Sequence, residues 1–482
     1  MAPTHQNYID GEWVDSESGE TVEVRNPADT TEVVGVYQQS TSGDTEDAIA
    51  AAKAAQDEWA STPAPERGRI LREAASNIEA RKDELVETLV REEGKTRSEA
   101  GEVGRSIDLF YYYAEKARDI GGPVKQSSGQ NTELTVRKEP LGVAGLITPW
   151  NYPSAIPAWK LAPALATGNT VVLKPATAAP GPARQLIEAL DEAGLPDGVV
   201  NLVTGPGSEV GSTLSSHPDI DVVSFTGSSS VGERVYETAS DDQKRVQCEM
   251  GGKNPTLVMP SADLDQAVDI VKNGAFGVTG QACTACSRAI VHEDVYDEFL
   301  EEIVAAAESI EIGPGLDDPD MGPHITESEL NGTLEYIDIA KEDGATLETG
   351  GGRPEGGQYE NGYFVEPTVF SDVDPDMRIA QEEVFGPVLA VIKVSDFEEA
   401  MTVANNVEYG LSSSIVTQDL DEAHRFLDET ESGVAKVNDK TTGVELHVPF
   451  GGYKRSSTNT YREQGDAGIN FYTAEKTVYL NF

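Results

Sequence analysis

Two of the three cysteines in this 482-residue chain, Cys283 and Cys286, lie in the stretch GQACTACSR, Gly280 to Arg288, with C-x-x-C spacing. That spacing admits half a zinc site, a dithiol redox pair, or one nucleophilic thiol beside a bystander. A structural zinc site needs a second close pair of ligands, and the six histidines are scattered. A thioredoxin-like dithiol follows the first strand of a small βαβ unit, whereas this pair lies past the middle of a long chain. A buried thiol without a role is the plain alternative, but the flanking Gly280-Gln281 and Ser287-Arg288 suit a backbone shaped around a reactive group. Such a thiol needs a lowered pKa or a nearby base, because near neutral pH a free thiol is only a few per cent thiolate. It also needs donors for an oxyanion and an acceptor for whatever leaves.

The elements that must position these groups show two textures. From Asp44 to about Gly121 apolar residues recur at three and four, in DAIAAAKAAQDEW, PERGRILREAASNIEARKDELVETLVREEG and RSEAGEVGRSIDLFYYYAEKARDIGG, which predicts helices with Gly94 and Gly121-Gly122 as stops. After GGPVKQSSGQN the pattern changes to short β-branched runs alternating with helical stretches. LGVAGLITPWN, NTVVLKPAT, GVVNLVTGPG and DVVSFTGSSSVG each read as a buried parallel strand that delivers a polar loop at its carboxyl end, where open α/β sheets place ligands. A second α/β texture runs from about Gly251 to Phe450, with strand-like SRAIVHEDV, the helix VYDEFLEEIVAAAESI, the loop QEEVFGPVLAVIKV and a Gly-rich turn, HVPFGGYKRSS. The tail FYTAEKTVYLNF alternates like an edge strand.

Length and a 38% hydrophobic content predict two large lobes. Acidic residues outnumber basic ones by 84 to 36, a net charge of −48, which argues against nucleic acid as a partner. The acids are spread along the chain, as in a solvated shell suited to a salt-rich cytoplasm, where a Debye length of about 3 Å at 1 M salt screens self-repulsion. Three cysteines cannot form a disulfide framework, the N-terminus does not read as a signal peptide, and no apolar run is long enough to span a membrane. The chain reads as cytoplasmic, with no metal and no membrane partner.

CEMGGKNP (Cys248 to Pro255), GQACTACSR, EEVFGPV and PFGGYK, in the same order and spacing as TPWNYP, KPAT and FTGSSSVG before them, closely resemble the NAD(P)-dependent aldehyde dehydrogenase superfamily along nearly the whole chain. The resemblance implies an α/β fold in three parts: a Rossmann-like cofactor domain (1–120 and 140–250), an α/β catalytic domain (251–463), and a small β oligomerisation arm (121–139 and 464–482) whose tail strand pairs across subunits in a homo-dimer or homo-tetramer. It makes Cys283 the nucleophile, with Cys286 where many relatives carry a small residue, Glu249 the general base, and the Asn151 amide an oxyanion donor with the Cys283 backbone N–H. Asn151 alone reads as a turn-capping amide. The implied reaction forms a tetrahedral alkoxide on Cys283, passes hydride to a nicotinamide, and leaves a thioester that a water activated by Glu249 hydrolyses.

For the cofactor, a strand-then-helix FTGSSSVG is by itself a weak signal. Similarity assigns Gly227 and Ser228 to the pyrophosphate, Lys174 to the adenosine ribose, Glu383 to the nicotinamide ribose, Phe385 to the nicotinamide neighbourhood, and adds Trp150 and Gly207 to the cofactor site. Thr177 stands where NAD-preferring relatives often carry a glutamate for both ribose hydroxyls. Its lack of charge favours NADP, with NAD as the alternative.

By similarity Arg105, Tyr152, Trp159, Val444, His447 and Phe450 line the substrate tunnel. An arginine there suits a small aldehyde with a distal carboxylate; the plain alternative is an i,i+3 pair with Glu102. The ending GVELHVPFGGYKRSS through YREQGDAGINFYT looks most like the branch of the family that oxidises 2-oxoglutarate semialdehyde (2,5-dioxopentanoate) in pentose and sugar-acid breakdown, with succinate semialdehyde or another small aldehyde as alternatives. Two other classes remain: a cysteine esterase or thioesterase, which requires a histidine beside the thiol, and a catalytically silent binding protein.

Overall fold

The computed structural model describes residues 2–482. Helices occupy Ser42–Ser61, Ala64–Ala80, Lys82–Glu93 and Glu102–Lys116. The first starts at a capping box in which Thr41 and Asp44 each take the other's backbone N–H. Gly94 ends the third at φ 97°, a left-handed cap. Gly121-Gly122 does not end the fourth, which finishes earlier in a 3₁₀ turn at Ala117–Asp119.

The first large sheet runs, edge to edge, Arg245–Glu249, Val222–Thr226, Val143–Ile147, Thr170–Lys174, Val200–Leu202, Asn7–Ile9 and Glu12–Val14. The first five are parallel; Asn7–Ile9 pairs antiparallel with Val200–Leu202, and Glu12–Val14 pairs antiparallel with Asn7–Ile9. Val143–Ile147, Val222–Thr226 and Thr170–Lys174 are buried at every position, as a sheet covered on both faces requires. Chain order proceeds outward from Val143–Ile147 on one side, then returns to its other side at Val222–Thr226. The switch point therefore lies between those two strands, the place where a doubly wound sheet opens a crevice at its carboxyl ends.

The second sheet runs Thr346–Thr349, Thr368–Ser371, Val388–Val394, Cys286–His292, Asn254–Val258, Ser412–Val416 and Val434–Val437, parallel except for its first strand. Glu249 ends an edge strand of the first sheet and Asn254 begins a central strand of the second. The amino ends of the second sheet thus meet the carboxyl ends of the first, and residues 456–463 return along the free edge of Arg245–Glu249 through Met250 N–H to Ser456 O (2.9 Å) and Thr460 Oγ1 to Val246 O (3.0 Å).

A third sheet joins Val124–Lys125, Thr132–Pro140 and the tail Thr473–Asn481. The tail pairs antiparallel along nine residues with its own chain's Thr132–Pro140, and its other edge is open. Ahead of it, the helix Gly465–Phe471 and the next residue bury Ile469, Phe471 and Tyr472 in the core cluster beneath the first sheet. Among the described residues, no helix is long and apolar enough to cross a membrane.

Candidate active site

The cysteine loop begins where helix Leu264–Phe276 stops. Val278, Thr279 and Gly280 then take φ of 55°, 56° and 66° in succession. This left-handed region suits glycine and strains a β-branched residue. Gly280 is also required sterically, since a Cβ there would lie 2.2 Å from Gly386 O. The strained turn is tied down from outside: Val278 N–H donates to the Glu99 carboxylate, and Thr279 Oγ1 to Gly322 O at 3.0 Å. Gln281 accepts from Ile325 N–H at 3.1 Å and contacts His324 Nδ1 at 3.1 Å.

Cys283 emerges partly exposed. Its carbonyl accepts from Asn254 Nδ2 at 2.8 Å; the same amide nitrogen donates to Ala285 O at 2.9 Å, and Asn254 Oδ1 takes the Ser412 N–H at 3.0 Å. Cys286, by contrast, points into the core between strand and helix, its thiol donating to Thr256 Oγ1 at 3.2 Å. All three cysteines are free. The C-x-x-C spacing therefore places one thiol in the crevice and the other behind it.

Burial, Glu383 and Glu249 push the Cys283 thiol up to about 12. It is protonated in this state, so attack requires a base. Glu249 is buried, and burial followed by the neighbouring Glu463 holds its carboxyl well above the ordinary carboxylate range. Its oxygens accept from Gly452 N–H (3.0 Å), Ser457 Oγ (3.2 Å) and Gln247 Nε2 (3.2 Å). A carboxylate offers about four acceptor positions, so one remains for a water. Behind it, Ser224 Oγ donates to Gln247 Oε1 at 2.9 Å and receives Lys160 Nζ at 2.7 Å, while Lys160 also pairs with Glu463. Gln247, Lys160 and Glu463 have no local motif that announces them.

Asn151 is buried, and its Nδ2 donates one proton to Gln281 O at 3.0 Å, two residues before Cys283, which leaves its other proton available. This amide bridges the two sheets and does not cap its own turn. Its backbone carbonyl accepts from Lys95 Nζ at 2.7 Å, and that ammonium lies 4.3 Å from the Tyr152 ring centroid.

The cofactor candidates gather at the carboxyl ends of the first sheet. Lys174 is 5% exposed, its Nζ meets only Pro175 O at 3.0 Å, and burial lowers it to about 8. Thr177 Oγ1 donates to Gly205 O at 3.1 Å. Gly207 opens a π turn, Gly207–Gly211, where an added Cβ would meet nothing. Gly227 and Ser228 lead into the helix Ser229–Asp241 with no side-chain cap on its amides. Thr148 and Thr226, flanking the switch point, each carry a buried hydroxyl without a partner. Uncapped amides, an unpaired buried lysine and two orphaned hydroxyls fit a dinucleotide. Nearer the thiol, Glu383 accepts the Gly252 N–H at 2.9 Å and is raised by burial to about 7, and Trp150 and Phe385 stand edge to face at 5.4 Å.

The substrate candidates are less concentrated. Trp159 and Phe450 rings lie 5.7 Å apart, and Phe450 pairs with Glu463 through the backbone. Arg105 does not pair with Glu102, which binds Lys95 (2.7 Å) and the Ser154 N–H (2.9 Å); its guanidinium donates to Gln464 Oε1 at 3.1 Å and is half-buried. Val444 is half-buried, whereas His447 is exposed, with Glu445 at 4.0 Å. His324 is a histidine near the loop that the sequence does not flag. Its Nδ1 contacts Gln281, and burial lowers it to about 3, which makes it too weak a base to serve an esterase reading.

The Aldehyde dehydrogenase family profile matches residues 13–478. The chain is 67% identical over 483 residues, 100% of both sequences, to the alpha-ketoglutarate semialdehyde dehydrogenase of Haloferax volcanii. It is 45% identical over 479 residues, 99% of each, to the 2,5-dioxopentanoate dehydrogenase of Saccharolobus solfataricus. Among solved structures it is similar to Staphylococcus aureus betaine aldehyde dehydrogenase in complex with NAD+, at a TM-score of 0.96 and 37% identity across 99% of this chain and 94% of that one. Profile, sequence and fold agree from the first strands to the tail, and the chain therefore belongs to the aldehyde dehydrogenase family, enzymes that oxidise aldehydes with a nicotinamide cofactor.

Proposed function

We propose that this enzyme oxidises 2-oxoglutarate semialdehyde (2,5-dioxopentanoate) to 2-oxoglutarate, with NADP preferred to NAD, as a cytoplasmic homo-dimer or homo-tetramer. The observation that carries the substrate is the 67% identity, end to end, to a relative named for it. Arg105 supports it chemically: with one guanidinium nitrogen on Gln464, the remaining donors can meet a distal carboxylate in a fork. The exposed Val124, Tyr479, Leu480 and Phe482 on the arm support assembly through that sheet.

In the reaction, Cys283 Sγ bonds to the aldehyde carbon and its proton is released to solvent, which leaves Glu249 free. The free Asn151 Nδ2 proton and the Cys283 N–H hold the alkoxide. A bound nicotinamide would supply the acceptor for the hydride that leaves that carbon. Glu249 takes a proton from water, whose oxygen attacks the Cys283 thioester; the C–S bond breaks, Glu249 returns that proton to the departing sulfur, and the acid product loses its own proton to solvent. Lys174, Gly227 and Ser228 hold the dinucleotide, and Glu383 its nicotinamide end.

The test is cofactor reduction in roughly 1 M salt or more, where the acidic surface is screened, across 2,5-dioxopentanoate, succinate semialdehyde, glycolaldehyde and propanal. The first should give the highest kcat/KM, and Arg105→Met should raise KM for the two carboxylated aldehydes by about 10- to 100-fold while leaving propanal alone. A uniform loss across all four would remove Arg105 from the substrate site.

NADP preference rests on Thr177, where a carboxylate would repel a 2′-phosphate. Thr177→Glu should raise KM for NADP by about tenfold or more and spare NAD. Equal effects on both cofactors, measured as initial rates, would place residue 177 outside ribose recognition.

A further inference from the structure

We propose that the segment Glu93–Glu102 is a bracket that sets the oxyanion donor Asn151 against the nucleophile Cys283, with Lys95 and Glu99 as its positioning residues; this rests on the reading of Asn151 as that donor. Asn151 follows a strand of the first sheet and Cys283 precedes a strand of the second, and one direct bond, Asn151 Nδ2 to Gln281 O at 3.0 Å, spans the gap between them. The segment reaches both sides. Lys95, 1% exposed, donates to Asn151 O at 2.7 Å and to Glu102 Oε2 at 2.7 Å, and faces the Tyr152 ring at 4.3 Å. Glu102 Oε1 in turn accepts the Ser154 and Ala155 N–H groups at 2.9 and 3.3 Å, so residues 151–155 hang from one buried ion pair. On the other side, one Glu99 oxygen takes the Thr96 N–H at 3.0 Å and the other takes the N–H of Val278, the first residue of the strained turn that leads to Cys283.

A plain stability role explains this arrangement poorly. Lys95, Glu93 and Glu102 are all buried, and charges so placed are a costly route to stability compared with apolar packing. Their contacts are directed: the nearest partners of Lys95 Nζ are residue 151, the carboxylate that holds 154 and 155, and the ring of residue 152, with Glu93 Oε2 also at 3.8 Å. A shift of about 1 Å between reacting groups can cost roughly a hundredfold in rate, which gives rigid connection at this gap a function.

The experiment is a double-mutant cycle on the full-length enzyme. Lys95→Met and Glu99→Ala are each made alone and with Asn151→Ala. Lys95→Met is expected to lower kcat about 10- to 100-fold, with aldehyde KM, cofactor affinity and the rate of Cys283 alkylation by iodoacetamide nearly unchanged, because alkylation needs no oxyanion donor. In the Asn151→Ala background it should cause almost no further loss. Glu99→Ala, at a half-buried site, should lower kcat in the same non-additive way. Because Lys95→Met strands two buried carboxylates, a Lys95→Met/Glu102→Gln protein with a parental melting curve serves where the single variant does not fold. Losses that add to that of Asn151→Ala, or a parental kcat in both Lys95→Met/Glu102→Gln and Glu99→Ala, overturn the bracket. Full kcat in Asn151→Ala overturns the oxyanion assignment, and the bracket with it.

Discussion

Cys283→Ala is expected to lower aldehyde-dependent cofactor reduction by at least about a thousandfold without lowering the melting temperature, whereas Cys286→Ala should keep its turnover. The contrast follows from placement. Cys283 is partly exposed at the crevice, and its carbonyl is held by Asn254, so truncating its side chain breaks no structural bond. Cys286 fills a site in the core beside Gly274, where a Cβ would already lie 3.1 Å from its own, and its loss should cost about 1 kcal/mol of stability through the cavity and the lost Thr256 contact. Stopped-flow reduction and thermal melting on the two variants decide it. Retained turnover in Cys283→Ala would remove the nucleophile from this position, and lost turnover in a folded Cys286→Ala would restore the dithiol.

Glu249→Gln should separate the two halves of the reaction. Glutamine keeps acceptance at one oxygen and preserves shape, but cannot take a proton from water. We expect a burst of reduced cofactor of about one equivalent per site, followed by a steady state slowed by about 10²- to 10⁴-fold. The pH dependence carries the sign. Burial and Glu463 raise the Glu249 carboxyl, so in the parent the base is protonated at low pH and hydrolysis of the thioester rises as pH climbs through that displaced titration. In Glu249→Gln this limb should disappear. Loss of the burst itself would mean that Glu249 is also the group that receives the Cys283 proton, a demand consistent with a thiol raised to about 12.

Much of this enzyme is legible in its residues. Buried apolar runs ending in Ile147, Lys174 and Thr226 identify a parallel sheet with its ligands at the carboxyl ends, because alternation is absent only where both faces are covered. Motif order along the chain marks Cys283, Glu249 and Asn151 as the candidates for the reacting groups. The tail shows the limit of such reading: its alternation marks a strand but not its partner, which within this chain is Thr132–Pro140.

By itself, the sequence determined the strand and helix texture, the acidic composition, and the candidates for the reacting groups, since each depends on residue type and near neighbours. Only the tertiary structure decided which donors are free and which are engaged. Lys95 meets Asn151 across 56 residues, Asn151 meets Gln281 across 130, and Lys160 meets Glu463 across 303. Such pairs leave no periodic or spacing signal, because hydrogen bonds and burial act over a few ångströms in space while motifs are read along the chain. The same reason separates Cys283 from Cys286: neighbours in sequence, they leave a tight loop in different directions, and only the fold shows that one is partly exposed and the other lies in the core.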